Sequence, residues 1–94
     1  MTRNNADFFH GSNHRFQVGD IVEPTESYGE KLAWATDDPF LAASYGQHLF
    51  AVTPLNPEDI KLSVVNNILA VRSPSGFRVT RHILSHPDPI KRGN

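Results

Sequence analysis

Three side chains in the sequence combine types and spacing suited to holding a flat ligand: His10, Trp34 and Tyr45. His10 stands in FFHGS, residues 8–12, where two phenylalanines predict a buried strand and Gly11-Ser12 mark its end. The imidazole is therefore held at the edge of a core. Trp34 lies in the alternating stretch KLAWAT, and Tyr45 follows eleven residues later, at the end of a short helical stretch. In a strand–turn–helix unit the helix folds back over the strand it left, so two such rings can approach one gap from different sides. With a histidine from a neighbouring strand they form a slot for a planar heterocycle and a polar group to orient its sugar. The same residue types also suit plain packing, as a strand-end histidine and as large aromatics in a small core.

Other chemistries have less behind them. The pairs His10/His14 and His82/His86 have four-residue spacing, but the first spans a Gly-Ser turn and the second runs into Pro87. Neither sits on a helix that would aim both rings at one ion, so no metal site is expected. The chain has no cysteine, which removes disulfides, thiolate zinc sites and cysteine nucleophiles together. Nine basic residues stand against ten acidic ones, a net charge of −1 that makes no electrostatic case for nucleic acid or a membrane surface. No apolar run approaches the roughly 18–20 residues of a membrane span, and MTRNNADFF lacks the apolar region of a signal peptide. A cytoplasmic protein is the expectation.

The elements that must position these groups follow from local pattern. At 94 residues the chain is read as one domain over 1–94, with about 60–65% of its unfolded surface buried. Residues 87–94 read as a flexible polar tail carrying the solvated pair Lys91 and Arg92. Ile21 and Val22 form a short apolar pair that Pro24 stops from pairing further, and TESYGE reads as a loop. TDDPFLAASYG carries helix grammar: Asp38 as N-cap, Pro39 at the first helical position, Phe40 to Tyr45 as about two turns and Gly46 as C-cap. QHLFAVTPL is a strand that stops at Pro54. Further strand-like runs are NPEDIKLSVV, NNILAVRS and GFRVTRHIL, with SPSG between the last two read as a hairpin turn.

FFHGS followed by WATDDPFLAASYG resembles the ADP-ribosyltransferases of the His-Tyr-Glu type, a group that includes diphtheria toxin and the poly-ADP-ribose polymerases. The opening FHGS…VGD is also similar to the small rifamycin-modifying ADP-ribosyltransferases. The resemblance implies an α+β domain in which two small, mostly antiparallel sheets and one short helix surround an NAD-binding cleft. It implies transfer of ADP-ribose from NAD, the co-substrate, to an acceptor that is a protein, a nucleic acid or a small molecule, with release of nicotinamide. Under it, His10 hydrogen-bonds a ribose of NAD, Gly11, Ser12 and Thr36 belong to the cofactor site, and Trp34 and Tyr45 sandwich the nicotinamide ring.

Two departures stand out. Trp34 occupies the place of the family's first tyrosine, keeping the stacking surface and losing the phenol. The acid that should face the ribose 2′-hydroxyl aligns with Asn67, in VVNNIL, which carries no charge; Glu58 and Asp59 are the alternatives. Loss of such an electrostatic stabiliser commonly costs about two to four kcal/mol of barrier. A rival expectation is thus a module that binds NAD, ADP-ribose or a protein partner without turnover. A third is an interaction protein that has lost the pocket.

Overall fold

In a computed structural model, which describes residues 8–27 and 29–85, the chain forms eight strands and one helix. In chain order these are β1 (Phe8–Ser12), β2 (Ile21–Val22), β3 (Thr25–Ser27), β4 (Glu30–Thr36), α1 (Pro39–Ala43), β5 (His48–Pro54), β6 (Lys61–Val65), β7 (Ile68–Ser73) and β8 (Phe77–Ser85). The stretch 87–94 expected to be a tail lies outside the described residues, as does His86.

The strands make one antiparallel sheet in the order β2-β8-β5-β1-β4-β7-β6, with β3 pairing β4 off that path. This corrects the expected ADP-ribosyltransferase-like α+β fold of two small sheets around a cleft. The domain is mostly β, its hydrogen-bonded ladder is continuous from β2 to β6, and a five-residue helix is too short to form a layer of its own. TESYGE, expected as loop, contributes β3, whose Thr25 and Ser27 lie in register with Leu32 and Glu30.

SPSG is not a hairpin turn. The strands it joins, β7 and β8, do not pair, and β4, β1 and β5 lie between them in the sheet. A flat sheet would hold β7 and β8 about 19 Å apart. The link from Ser73 to Phe77 spans at most about 14 Å. The sheet must therefore curl until its two halves face each other. The core records the same bend: Val22 of β2, Ala33 and Ala35 of β4, Phe50 and Val52 of β5, Val71 of β7, and Phe77 and Val79 of β8 form one buried cluster. Register shifts between β5 and β8, at Leu49/Phe50 and Ala51/Val52, supply local twist on one side of the curve. The Ser73 hydroxyl, fully buried, secures the crossing by accepting from the Ser75 and Gly76 amides and donating to the Gly76 carbonyl.

The helix forms where its local grammar places it. Asp38 caps it, its carboxylate accepting from the Phe40 and Leu41 amides at 2.9 and 3.4 Å, and Pro39 fills the first turn. It ends sooner than expected, at Ala43, with Ser44 as C-cap; Gly46 lies beyond the cap. Ala42 and Ala43 pack with Leu49, Phe9 and Ile83 in a second, smaller cluster on the outer face of the sheet.

Candidate functional site

The strands β1 and β4 are neighbours that share one register pair, Phe9 with Thr36. On its other side β1 follows β5 along its whole length, from Phe8 opposite Val52 to Ser12 opposite His48. β4 in turn follows β7, with Trp34 opposite Arg72 and Thr36 opposite Ala70. Each strand is held by its outer partner, and a gap opens between them. A side chain spans that gap: His10 Nδ1 lies 2.8 Å from the carbonyl oxygen of Trp34.

Helix α1 closes one side of the gap. It can lie against β1 because residue 11 is glycine: a Cβ there would stand 1.7 Å from the carbonyl oxygen of Ala42. Gly46 serves the return of the chain in the same way, since a Cβ there would meet the carbonyl carbon of Ser12 at 2.3 Å. The result is a cleft of about 430 Å³ lined by Phe9, His10, Gly11, Trp34, Ala35, Thr36, Leu41, Ala42, Tyr45 and Ala70. Its walls are largely apolar. Trp34 and Tyr45 stand at its edge, 46% and 66% exposed, with ring surface open to a ligand.

The electrostatics of His10 follow from its position. Burial pushes its pKa below the ordinary imidazole value, and the hydrogen bond to the Trp34 carbonyl raises it part of the way back. A carbonyl oxygen only accepts, so Nδ1 carries the proton and Nε2 of the neutral ring is left with a lone pair. That lone pair suits a hydroxyl donor. The ring is steadied from behind by Phe16, edge-on at 6.0 Å, which rests in turn on Phe50 at 5.5 Å.

Of the residues singled out in the sequence, His10, Gly11, Trp34, Thr36 and Tyr45 all line this cleft. Ser12 does not; its hydroxyl accepts from the His14 amide in the turn after β1. The Thr36 hydroxyl is already engaged, donating to the Leu69 carbonyl and accepting from the Asp38 amide, so hydrogen bonding by Thr36 is spent on the protein. Asn67 lies at the tip of the β6–β7 hairpin, closed by Val65 opposite Ile68, and is not among the lining residues. Asn66 and Asn67 both have positive φ, 54° and 66°, as a tight two-residue hairpin turn demands. Glu58 and Asp59 sit in the β5–β6 connection: the Glu58 amide is bound by the Asn56 side chain, and Asp59 accepts from the Ser75 hydroxyl at 2.6 Å. Among the described residues no carboxylate lines the cleft.

One residue beside the cleft was not singled out in the sequence. Arg72, directly opposite Trp34, holds its guanidinium carbon 5.7 Å from the centre of the indole and donates from Nη2 to Ser63 at 2.7 Å. Its only sequence signal is a lone cation inside the apolar run ILAVRS. That signal becomes legible once β7 is known to pair with β4.

A second polar cluster lies on β5 and β8, where His48 Nδ1 and His82 Nε2 both approach the Ser85 hydroxyl, at 2.6 and 2.7 Å. Among the described residues no group of three or more His, Asp or Glu is placed to hold a metal ion. No helix among them is long and apolar enough to cross a membrane. Comparison of the chain with protein-family models, with curated proteins and with solved structures found no match.

Proposed function

We propose that the chain is an NAD-dependent ADP-ribosyltransferase whose cleft takes the nicotinamide riboside half of NAD. The observation that carries this reading is the convergence of His10 from β1, Trp34 from β4 and Tyr45 from the turn after α1 on one apolar cleft, with His10 Nε2 accepting no hydrogen bond among the described residues. Trp34 and Tyr45 offer faces for the nicotinamide ring, and stacking of this kind is worth about 0.5–1.5 kcal/mol per ring pair beyond buried area. His10 Nε2 accepts from a ribose hydroxyl and so fixes the sugar beneath the ring. With the ring clamped and the sugar held, the nicotinamide–ribose bond breaks through an oxocarbenium-like state, nicotinamide leaves with the bonding pair, and the acceptor's nucleophile forms the new bond to the anomeric carbon. A cytoplasmic setting belongs to this reading, since NAD is an intracellular ligand.

That no described carboxylate lines the cleft favours a second reading, a module that binds NAD or ADP-ribose without turnover. The two share the cleft and differ only in chemistry. Titration of NAD against the intrinsic fluorescence of Trp34, the chain's single tryptophan, tests the shared part. Release of nicotinamide from NAD under the same conditions separates them: measurable release supports the transferase, and saturable binding with no release supports the module.

A further inference from the structure

We infer that Arg72, backed by Lys61, is an anion subsite at the mouth of the cleft that holds a phosphate of the ligand. This rests on the proposed reading of the cleft as a nucleotide site and adds to it the chemical group recognised beyond the riboside. Trp34, Arg72 and Lys61 lie in one row across β4, β7 and β6, each directly opposite the next, so all three project from the same face of the sheet. Neighbouring strands are about 4.8 Å apart, so the row leads from the ring that borders the cleft to a first cation one strand away and a second two strands away.

Arg72 is arranged as a receptor for an anion. It is half-buried, and among the described residues it has no carboxylate partner; the one ion pair of this region is between Lys61 and Glu30, long at 3.8 Å and exposed. Its Nε is buried without any hydrogen-bond partner. Ser63 fixes one end of the guanidinium and its central carbon lies over the Trp34 ring, so the fork is held in place before a ligand arrives. Lys61 stands directly across from it, and two cations facing each other on a sheet repel. A phosphate placed between them would relieve that repulsion and accept from the outer N–H groups of the guanidinium. Among the described residues only the exposed Glu30 carboxylate, 3.8 Å from Lys61, offsets that repulsion, and no carboxylate reaches Arg72.

The test compares NAD with nicotinamide riboside, which carries no phosphate, by Trp34 fluorescence titration on the full chain and on Arg72→Gln, Arg72→Lys and Lys61→Gln. The subsite predicts that the chain binds NAD at least roughly tenfold more tightly than the riboside, and more weakly as salt rises. Arg72→Gln should lower the ratio of NAD to riboside affinity toward one, Arg72→Lys should restore part of it, and Lys61→Gln should have the smaller effect. Equal affinity for the two ligands, or an Arg72→Gln variant that keeps the preference for NAD, would overturn the subsite while leaving the cleft reading intact. If folded wild-type chain binds neither ligand, both the cleft reading and the subsite are overturned. Should Arg72→Gln fail to fold, Arg72→Lys and the salt dependence decide the matter alone.

Discussion

The imidazole of His10 donates from Nδ1 to the carbonyl oxygen of Trp34 across 2.8 Å, joining two strands at the place where their own ladder stops. One hydrogen bond thus does two things: it bridges the gap left between β1 and β4, and it sets the tautomer that leaves a lone pair on Nε2. The cleft exists because those strands part, and its chemistry depends on how the parting is bridged.

This geometry makes the site sensitive to acid. The folded-state pKa of His10 lies below the ordinary 6.5, first because the ring is buried. Above about pH 6.5 the ring is neutral in both folded and unfolded chains and its contribution to stability is complete. As pH falls below that value the unfolded chain takes up the proton first, so stability drops until the folded pKa is passed. Urea unfolding between pH 8 and pH 5 should show this loss, and His10→Gln should reduce it. NAD affinity should fall in the same direction, approaching tenfold per pH unit once the ring protonates, because the acceptor at Nε2 becomes a donor.

Gly11→Ala should damage the cleft without removing any side chain that would bind ligand. The added Cβ would lie 1.7 Å from the Ala42 carbonyl oxygen, so α1 must move off β1. Overpacking of this kind costs about 1–3 kcal/mol. Urea unfolding should register that loss, and NAD binding should weaken by more than the stability change alone explains, because Leu41 and Tyr45 move with the helix.

Asp38→Ala is the matching control on the helix. It removes acceptors for the Phe40 and Leu41 amides and should cost about 1 kcal/mol of stability. Its effect on NAD binding should be small, since Asp38 does not line the cleft.

A further pair of substitutions separates the tip of the hairpin from the cleft. Asn67→Glu puts a poor left-handed residue at φ 66° and should lower stability by about 1 kcal/mol while leaving nicotinamide release unchanged. Ala70→Glu brings a carboxylate to a position that does line the cleft and should raise release by about tenfold. Faster release in Asn67→Glu alone would show that the acid belongs at the hairpin.

Much of this architecture is legible in the sequence because it is written in short-range terms. Asp38-Pro39 specifies a helix start, and the alternation in KLAWAT and the apolar FFHGS specify strands whatever they pair with. Asn66-Asn67 between two apolar pairs is by itself a turn signal, and the structure gives both residues positive φ. The link SPSG has the composition of a hairpin and joins strands that lie apart, because which strand β8 joins is decided by the long ladder with β5. The single curled sheet and the row Trp34–Arg72–Lys61 are likewise products of pairing between distant segments. Spacing along the chain cannot show them.

The central claim is that His10, Trp34 and Tyr45 form one NAD-binding cleft, and the most direct measurement is titration of NAD against Trp34 fluorescence in the wild-type chain and in His10→Ala at pH 7.5. The account predicts saturable quenching in the wild type and at least a tenfold loss of affinity in a folded His10→Ala variant, as removal of a buried hydrogen-bond partner entails. A flat titration with folded wild-type chain, or a His10→Ala variant that binds NAD as well as the wild type, would contradict it.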